Sequence, residues 1–275
     1  MNDRNAALAY SGTTANAAEV KAHVSDAEWA VRVDLAAAYR LVDLYGWTDM
    51  VYNHISARVP GPEHHFLINP YGLAYDEITA SSLIKIDLAG NIVYAPDPDY
   101  GINAAGYVIH SAIHEALPDA GCVIHTHTPA GMAVAALKCG LLAVCQTAMR
   151  FPTVACHDYE GVALELDERR RLVANLGDSQ VMLLRNHGLL ALGRTIPEAF
   201  NNMYRLERAC QVQLLALACN TEINMPAEEA VKRANVQLAR NNAAGHAGRP
   251  IPPFGVMEWP ALLRRLDRRD PSFRH

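Results

Sequence analysis

Two histidines spaced two residues apart give this sequence its clearest chemical signal. His125 and His127 lie in the run 121–128, GCVIHTHT, whose composition favours a β-strand. Alternate residues of a strand face the same side, so both imidazoles can be directed at one point. With a third ligand from elsewhere they would form a transition-metal site that keeps one coordination position open for chemistry. The spacing alone leaves a second interpretation open, in which the two side chains share a solvated strand end by chance.

The composition excludes several classes of protein. Of the 275 residues, 51% are hydrophobic and 19% are charged, and the net charge is -5, with both signs mixed along most of the chain. That mixture argues against nucleic acid as the main partner. No apolar run reaches the roughly 18 residues of a membrane span, and residues 1–5 lack the layout of a secretory signal. We therefore expect a cytoplasmic protein with no membrane segment, in which the six cysteines are reduced.

Hydrophobic periodicity predicts the elements that would position the histidines. A capping box at residues 25–28 begins one helix, and a proline at position 197 suits the first turn of another. The predicted helices cover residues 25–46, 103–117, 129–138, 167–176, 197–218 and 227–240. The predicted strands cover residues 55–59, 66–69, 83–88, 92–94, 121–128, 141–145, 153–156, 180–187 and 189–192. This order predicts an α/β fold with a mixed, largely antiparallel sheet and helices on both faces.

The chain has no linker that would divide it into two folded units. Residues 1–24 are rich in Ala, Asn and Thr and predict a flexible or loosely docked arm. Residues 25–245 form the predicted single domain. Residues 246–275 are rich in Pro and Gly and then basic, which favours a solvated terminal helix that packs on the domain or on a neighbouring subunit.

Several motifs in a fixed order resemble the class II aldolase/adducin family, in particular its adducin-like bacterial branch. The resemblance extends over about residues 27–218. The residues that carry it are His110 on a helix, HTH at 125–127, RNHGLL at 185–190, WTD at 47–49, YNHIS at 52–56, NPYG at 69–72 and PDAGCVIH at 118–125.

The resemblance implies a single-domain class II aldolase-like fold with a divalent metal held by three histidines at a subunit interface, often in a homotetramer. The implied ligands are His125, His127 and His187. Three neutral imidazoles suit Zn²⁺ or Fe²⁺, and Mn²⁺ or Co²⁺ are also possible. Such an ion would bind the carbonyl or enolate oxygen of a small-molecule substrate and stabilise the charge that develops there.

The sequence departs from the sugar-phosphate aldolases of the family at two places. Their glutamate, which acts as ligand and proton carrier four residues before the helix histidine, is replaced by Gly106. Their phosphate-binding Thr-Gly and Ser-Ser pairs are replaced by Tyr71-Gly72 and Ala104-Ala105. Both changes indicate a substrate without phosphate or a different reaction.

Further candidates follow from the same mapping. His110 is a candidate proton shuttle, or else a histidine that holds a backbone carbonyl. Tyr159 is a second catalytic candidate, with a plain turn before Gly161 as the alternative. His114 and Glu115 follow on the same helix as His110. The candidate substrate-binding residues are Asn53, His54, Asn69, Tyr71, Gly72 and Gly106.

Three functions remain open at this point. The first is a metal-dependent lyase, aldolase-like or decarboxylase-like, for a non-phosphorylated oxo-acid or hydroxy-carbonyl compound. The second is a non-haem Fe(II) oxygenase of an aromatic 2-oxo acid on the same fold. The third is a non-catalytic, adducin-like oligomerising module. Retention of all three ligand histidines favours the two enzymes.

Overall fold

One eight-stranded sheet forms the central layer of the protein. The structure is a computed structural model that describes residues 16–161, 166–239 and 252–275, without the side chains of residues 104, 105 and 166. Along the sheet the order is β4-β3-β2-β1-β5-β8-β7-β6, and β6–β7 is parallel where the six other neighbouring pairs are antiparallel. This confirms the predicted fold class. The strands are β1 His54–Arg58, β2 Phe66–Ile68, β3 Ile84–Ile86, β4 Ile92–Tyr94, β5 Cys122–Thr126, β6 Ala155–His157, β7 Val181–Leu184 and β8 Gly188–Gly193.

Eight α-helices flank this sheet within the described part of the chain. They are α1 Ala17–His23, α2 Asp26–Leu44, α3 Ala104–Ala116, α4 Pro129–Ala136, α5 Leu166–Leu176, α6 Ile196–Ala218, α7 Glu228–Leu238 and α8 Trp259–Arg269. The Thr128 hydroxyl accepts a hydrogen bond from the Gly131 amide at 3.2 Å, and Pro129 occupies the first turn of α4. This cap ends β5 at Thr126 and leaves His127 at the rim of the sheet.

The two faces of the sheet carry different helices. Along β5, Cys122 and Ile124 pack into the larger core with α2, α4, α6 and α8, whereas Val123 packs into a second core with α3 and α5. Because side chains alternate along a strand, His125 and His127 share the α3 and α5 side with Val123. The helices that bury this face, α3 and α5, therefore lie on the same side of the sheet as His125 and His127.

Two stretches differ from their predictions. The predicted strand at 141–145 is absent, and the Leu142 amide instead donates to Oε1 of Gln213 on α6 at 2.6 Å. A side chain therefore satisfies a donor that a neighbouring strand would otherwise have bound. The predicted loose arm contains α1, with Val20 buried, while residues 1–15 lie outside the described part of the chain.

The described end of the chain, residues 252–275, packs on its own domain. Nε1 of Trp259 donates to Oδ1 of Asp34 on α2 at 2.9 Å, and Phe273 is fully buried. Among the described helices, none combines the length and the apolar character that crossing a bilayer requires.

Candidate metal centre

Three histidines, two from the end of β5 and one from the turn between β7 and β8, converge at the rim of the sheet. The Nε2 atoms of His125 and His127 lie 2.7 Å apart, and Nε2 of His187 lies 3.2 and 3.0 Å from them, respectively. His125 is buried, and the other two are half-buried. They are the one group of three or more potential metal ligands found in the described residues. The structure therefore brings together the three predicted ligands, and we call them the histidine triad.

The turn between β7 and β8 presents the third histidine. Asn186 adopts a left-handed conformation with φ of 58°, which asparagine tolerates better than most residues. The residue after His187 must be glycine, since a Cβ on Gly188 would lie 2.4 Å from the Thr126 carbonyl oxygen and 3.2 to 3.3 Å from the rings of His127 and His125. The close approach of β5 and β8 thus explains the His-Gly pair.

Hydrogen bonds fix which nitrogen of each ring carries the proton. Nδ1 of His125 lies 2.8 Å from the Leu189 carbonyl oxygen, and Nδ1 of His127 lies 2.9 Å from the Asp49 carboxylate. Both partners accept, so in the neutral rings both Nδ1 atoms donate and both Nε2 atoms hold a lone pair. Two lone pairs that face each other at 2.7 Å repel, and a shared cation converts this contact into an attractive one. The residues therefore fit a divalent metal ion.

Burial keeps two members of the triad, His125 and His187, in the form that binds metal. Desolvation, helped by the neighbouring imidazoles, lowers the pKa of His125 well below its ordinary value of 6.5. The same two causes lower the pKa of His187 to about 4. Both rings are neutral at physiological pH, and their lone pairs need not lose a proton before they bind a cation.

Behind the triad lies a second set of hydrogen-bonded side chains, which we call the buried histidine chain. Nδ1 of His54 lies 2.8 Å from Nε2 of His110, and the hydroxyl of Ser56 lies 2.7 Å from both Nδ1 of His110 and Nε2 of His114. Nδ1 of His114 lies 3.0 Å from the Ala120 carbonyl oxygen. Burial lowers the pKa of His114 to about 3 and the pKa values of His54 and His110 well below 6.5, so the rings are neutral.

Two predicted substrate-binding asparagines differ in how completely their side chains are hydrogen-bonded. Oδ1 of Asn53 accepts from the Asp49 amide at 2.6 Å, while its buried Nδ2 has no partner among the described residues. An unpaired buried donor costs free energy, so the stability of the fold does not explain the orientation of this amide. Asn69, by contrast, accepts from the Tyr39 hydroxyl at 2.9 Å and donates to the Pro70 carbonyl at 3.3 Å. Its side chain supports the loop that follows β2.

The remaining candidates occupy the edges of the site or the surface. Tyr71 is 39% exposed and faces Tyr52, with ring centroids 6.5 Å apart. Gly72, next to it, has φ of 117°, a conformation that other residues rarely adopt. Tyr159 is 55% exposed in the loop after β6, where it shares a small cleft with His187.

Other polar side chains near these candidates on α3 and after β6 are engaged in structural contacts. Glu115 pairs with Arg169 at 2.7 Å, and Glu160 binds Arg171 through two oxygens. His157 lies 3.4 Å from the Glu168 carboxylate.

Two residues with evident positioning roles were not assigned from the sequence. Asp49 holds Nδ1 of His127, and Ser56 connects His110 to His114. A signal was present for Ser56, because it lies two residues after His54 and therefore faces the same side of β1. Asp49 belongs to the WTD motif, but its contact with a residue 78 positions away could not be read from spacing.

Known proteins share both this fold and much of this sequence. A family model described as Class II Aldolase and Adducin N-terminal domain matches residues 33–214. The crystal structure of an aldolase II superfamily protein from Pseudomonas syringae is 49% identical, with a TM-score of 0.86 over 94% of this chain and 100% of that one.

Two further relatives bear on activity. The L-fuculose 1-phosphate aldolase of Glaciozyma antarctica PI12 is 28% identical, with a TM-score of 0.76 over 90% of this chain and 93% of that one. The alpha-adducin of Rattus norvegicus is 44% identical over 86% of this chain but only 33% of its own length. The chain therefore belongs to the class II aldolase and adducin family.

Proposed function

We propose that the protein is a metal-dependent carbon–carbon lyase that acts on a non-phosphorylated oxo-acid or hydroxy-carbonyl compound. The observation that carries this proposal is the convergence of three imidazole Nε2 atoms within 3.2 Å of one another, two of them with their lone pairs fixed by acceptors on Nδ1. A cytoskeletal scaffold does not require such an arrangement, whereas a catalytic ion does.

The bound ion would supply a Lewis acid for a substrate oxygen. The protein's own residues supply orientation: the Leu189 carbonyl and the Asp49 carboxylate hold the rings of His125 and His127. Asn53, whose Oδ1 accepts from the amide of the same Asp49, is our candidate for a substrate-binding residue next to this set. A substrate without phosphate is favoured because Tyr71-Gly72 and Ala104-Ala105 stand where sugar-phosphate aldolases have hydroxyl side chains.

Zn²⁺ and Fe²⁺ are the ions that we favour for three neutral nitrogen ligands. We also infer a homotetramer with small-molecule substrates, as the family resemblance implies. Light scattering of the purified protein tests the assembly, and a monomer would overturn it.

Metal analysis tests the proposed function most directly. Anaerobically purified protein should contain about one divalent ion per chain, and His127→Ala should remove it, because two nitrogens cannot complete the site. His275→Ala, which changes an exposed terminal histidine, should keep the ion and serves as the matched control. A wild-type protein without stoichiometric metal would overturn the lyase, and full occupancy in His127→Ala would overturn the ligand assignment.

One alternative function is favoured by a specific observation. Three neutral imidazoles with no carboxylate in the triad resemble an Fe²⁺ site that leaves positions for dioxygen and a 2-oxo acid. Oxygen consumption by the Fe²⁺-loaded protein with aromatic 2-oxo acids would support the oxygenase and reject the lyase. The similarity to alpha-adducin favours a non-catalytic oligomerising module only if no ion binds.

A further inference from the structure

The two threonines that flank His127 both bind α6. The chain is extended through Thr128, so the side chains of residues 126 and 128 lie on the opposite side from the ring of His127. The Thr126 hydroxyl donates to the sulfur of Met203 at 3.4 Å, and the Thr128 hydroxyl donates to the carboxylate of Glu207. Both threonines are almost fully buried. The chain is therefore attached to α6 immediately before and immediately after this member of the triad.

The side chains on α6 that receive these bonds form one row. Met203 and Glu207 lie four residues apart, so they are neighbours on the same face of the helix. The next residue of the row, Gln211, donates from Nε2 to the second carboxylate oxygen of Glu207 at 2.9 Å. Both oxygens of Glu207 are therefore bound, one by each neighbour. We call Met203, Glu207 and Gln211 the α6 anchor.

The Thr128 hydroxyl has a defined hydrogen-bond direction. Its oxygen accepts from the Gly131 amide at 3.2 Å as the cap of α4, and its hydrogen is directed to Glu207. An ionised carboxylate accepts with both oxygens, which matches the two donors Thr128 and Gln211. The same hydroxyl thus begins α4 and fixes the backbone next to His127.

Glu207 is an expensive residue to bury at this position. It is 2% exposed, and its hydrogen-bond partners in the described part of the chain are both uncharged. Desolvation by burial raises the pKa of its carboxyl, although the bonds from Thr128 and Gln211 oppose this shift. In return, a charge-assisted hydrogen bond holds the Thr128 hydroxyl more strongly than a neutral acceptor would.

We propose that Glu207 is a positioning residue for the metal centre, which fixes the backbone at His127 through the Thr128 hydroxyl. The inference rests on the proposed function and assigns to it a residue of the larger core, on the opposite face of the sheet from the triad. Asp49 orients the ring of His127 through Nδ1, and the α6 anchor holds the backbone that carries this ring. Metal–ligand distances tolerate deviations of only about 0.2 Å, so a small backbone shift at His127 weakens binding.

Glu207→Leu removes the acceptor and tests this role. Its affinity for Zn²⁺, measured by competition with a chromophoric chelator, should fall at least about tenfold, as for other partners behind a ligand. Glu207→Gln keeps a neutral acceptor for Thr128 and should lose no more than about threefold. Thr128→Val should behave like Glu207→Leu, whereas Thr128→Ser retains the hydroxyl and should bind like the wild type. Combining Glu207→Leu with Thr128→Val should cost little more than either change alone, because both break the same bond.

Gln213→Leu separates positioning from general stability. Gln213 is fully buried on the same helix, where it accepts from the Leu142 amide at 2.6 Å and donates to the Gly140 carbonyl at 2.9 Å. Its loss should lower the urea midpoint of the metal-free protein, as Glu207→Leu does, but it should leave the affinity for Zn²⁺ unchanged. An equal loss of affinity in the two variants would overturn the positioning role.

The outcomes separate this inference from the proposed function. A wild type that binds Zn²⁺ together with full affinity in Glu207→Leu overturns the role of Glu207 alone, and a wild type that binds no Zn²⁺ overturns both. If Glu207→Leu does not fold, equal affinities in Thr128→Val and Thr128→Ser reject the role instead.

Hydrogen exchange tests the anchor without metal. In the metal-free protein the Gly131 amide should exchange faster in Glu207→Leu than in the wild type, because the hydroxyl that accepts from it is released. In Gln213→Leu this amide should exchange at the wild-type rate. Unchanged exchange in Glu207→Leu would show that Glu207 does not hold Thr128.

Discussion

Replacing Asp49 by alanine removes the acceptor that orients His127. The carboxylate lies 2.9 Å from Nδ1 of His127 and is 43% exposed on its side chain. Loss of a partner behind a ligating histidine costs about 10- to 100-fold in metal affinity. Because water can reach this carboxylate and can replace it as an acceptor, we expect the lower end, about tenfold or ~1.4 kcal/mol.

Asp49→Asn refines the same test. The amide oxygen can still accept from Nδ1 of His127, but the charge is lost, and charge-assisted hydrogen bonds are roughly twice as strong as neutral ones. Asp49→Asn should therefore lose about half of the metal-binding free energy that Asp49→Ala loses, which corresponds to about a threefold lower affinity for the metal. The predicted order of affinities is wild type, then Asp49→Asn, then Asp49→Ala.

Competition for Zn²⁺ against a chromophoric chelator at neutral pH measures these affinities. Asp178→Ala changes an exposed carboxylate in the turn between α5 and β7 and should leave the affinity unchanged. An Asp49→Ala protein with wild-type affinity would refute the argument that the carboxylate fixes the tautomer. A loss beyond about 1000-fold would exceed the range for a supporting residue and would identify Asp49 as a ligand.

Two other predictions concern stability. Gly106→Ala should destabilise the protein by about 1–3 kcal/mol in spite of the better helix propensity of alanine, because its Cβ would overlap the His54 ring. Thermal unfolding measures this, with Gly101→Ala as the control, since a Cβ at position 101 meets nothing within 4 Å. An unchanged melting temperature in Gly106→Ala would contradict the packing argument. The metal-free protein should also lose stability as the pH falls from about 6.5 towards 4. His114 and His187 have lowered pKa values in the folded protein, so the unfolded chain binds protons at these residues first. Each of the two should reduce the free energy of unfolding by about 1.4 kcal/mol per pH unit. Urea unfolding across this range should show a slope smaller by about that amount in His187→Asn, and an identical slope would show that His187 is not neutral in the folded state.

Local sequence signals predicted most of the fold because they report local physics. The serine half of the predicted capping box is present, with the Ser25 hydroxyl accepting from the Glu28 amide at 3.1 Å, whereas the Glu28 carboxylate pairs with Arg32 and Lys85. The strand predicted from the apolar run at 141–145 was wrong because the structure there depends on a distant contact. The partner of the Leu142 amide is a side chain 71 positions away. Periodicity measures how apolar a segment is, but it does not identify which group will satisfy its backbone.

The sequence predicted those residues of the candidate site that follow from side-chain type and local spacing. It did not predict the contacts that depend on strand register. The spacing of His125 and His127 was sufficient to place the two imidazoles on the same face of β5. The position of His54 depends on the antiparallel pairing that sets it opposite His125, and no local pattern fixes that register.

The tautomer of a buried histidine is even harder to predict from the sequence than strand register. The tautomer of His54 is decided by the Ala120 carbonyl, at the other end of a path through His110, Ser56 and His114. Read as a string, the sequence shows only that Gly106 lacks a carboxylate. In three dimensions the same glycine makes room for the ring of His54 from another element, so the space that a side chain at position 106 would occupy is filled by an imidazole.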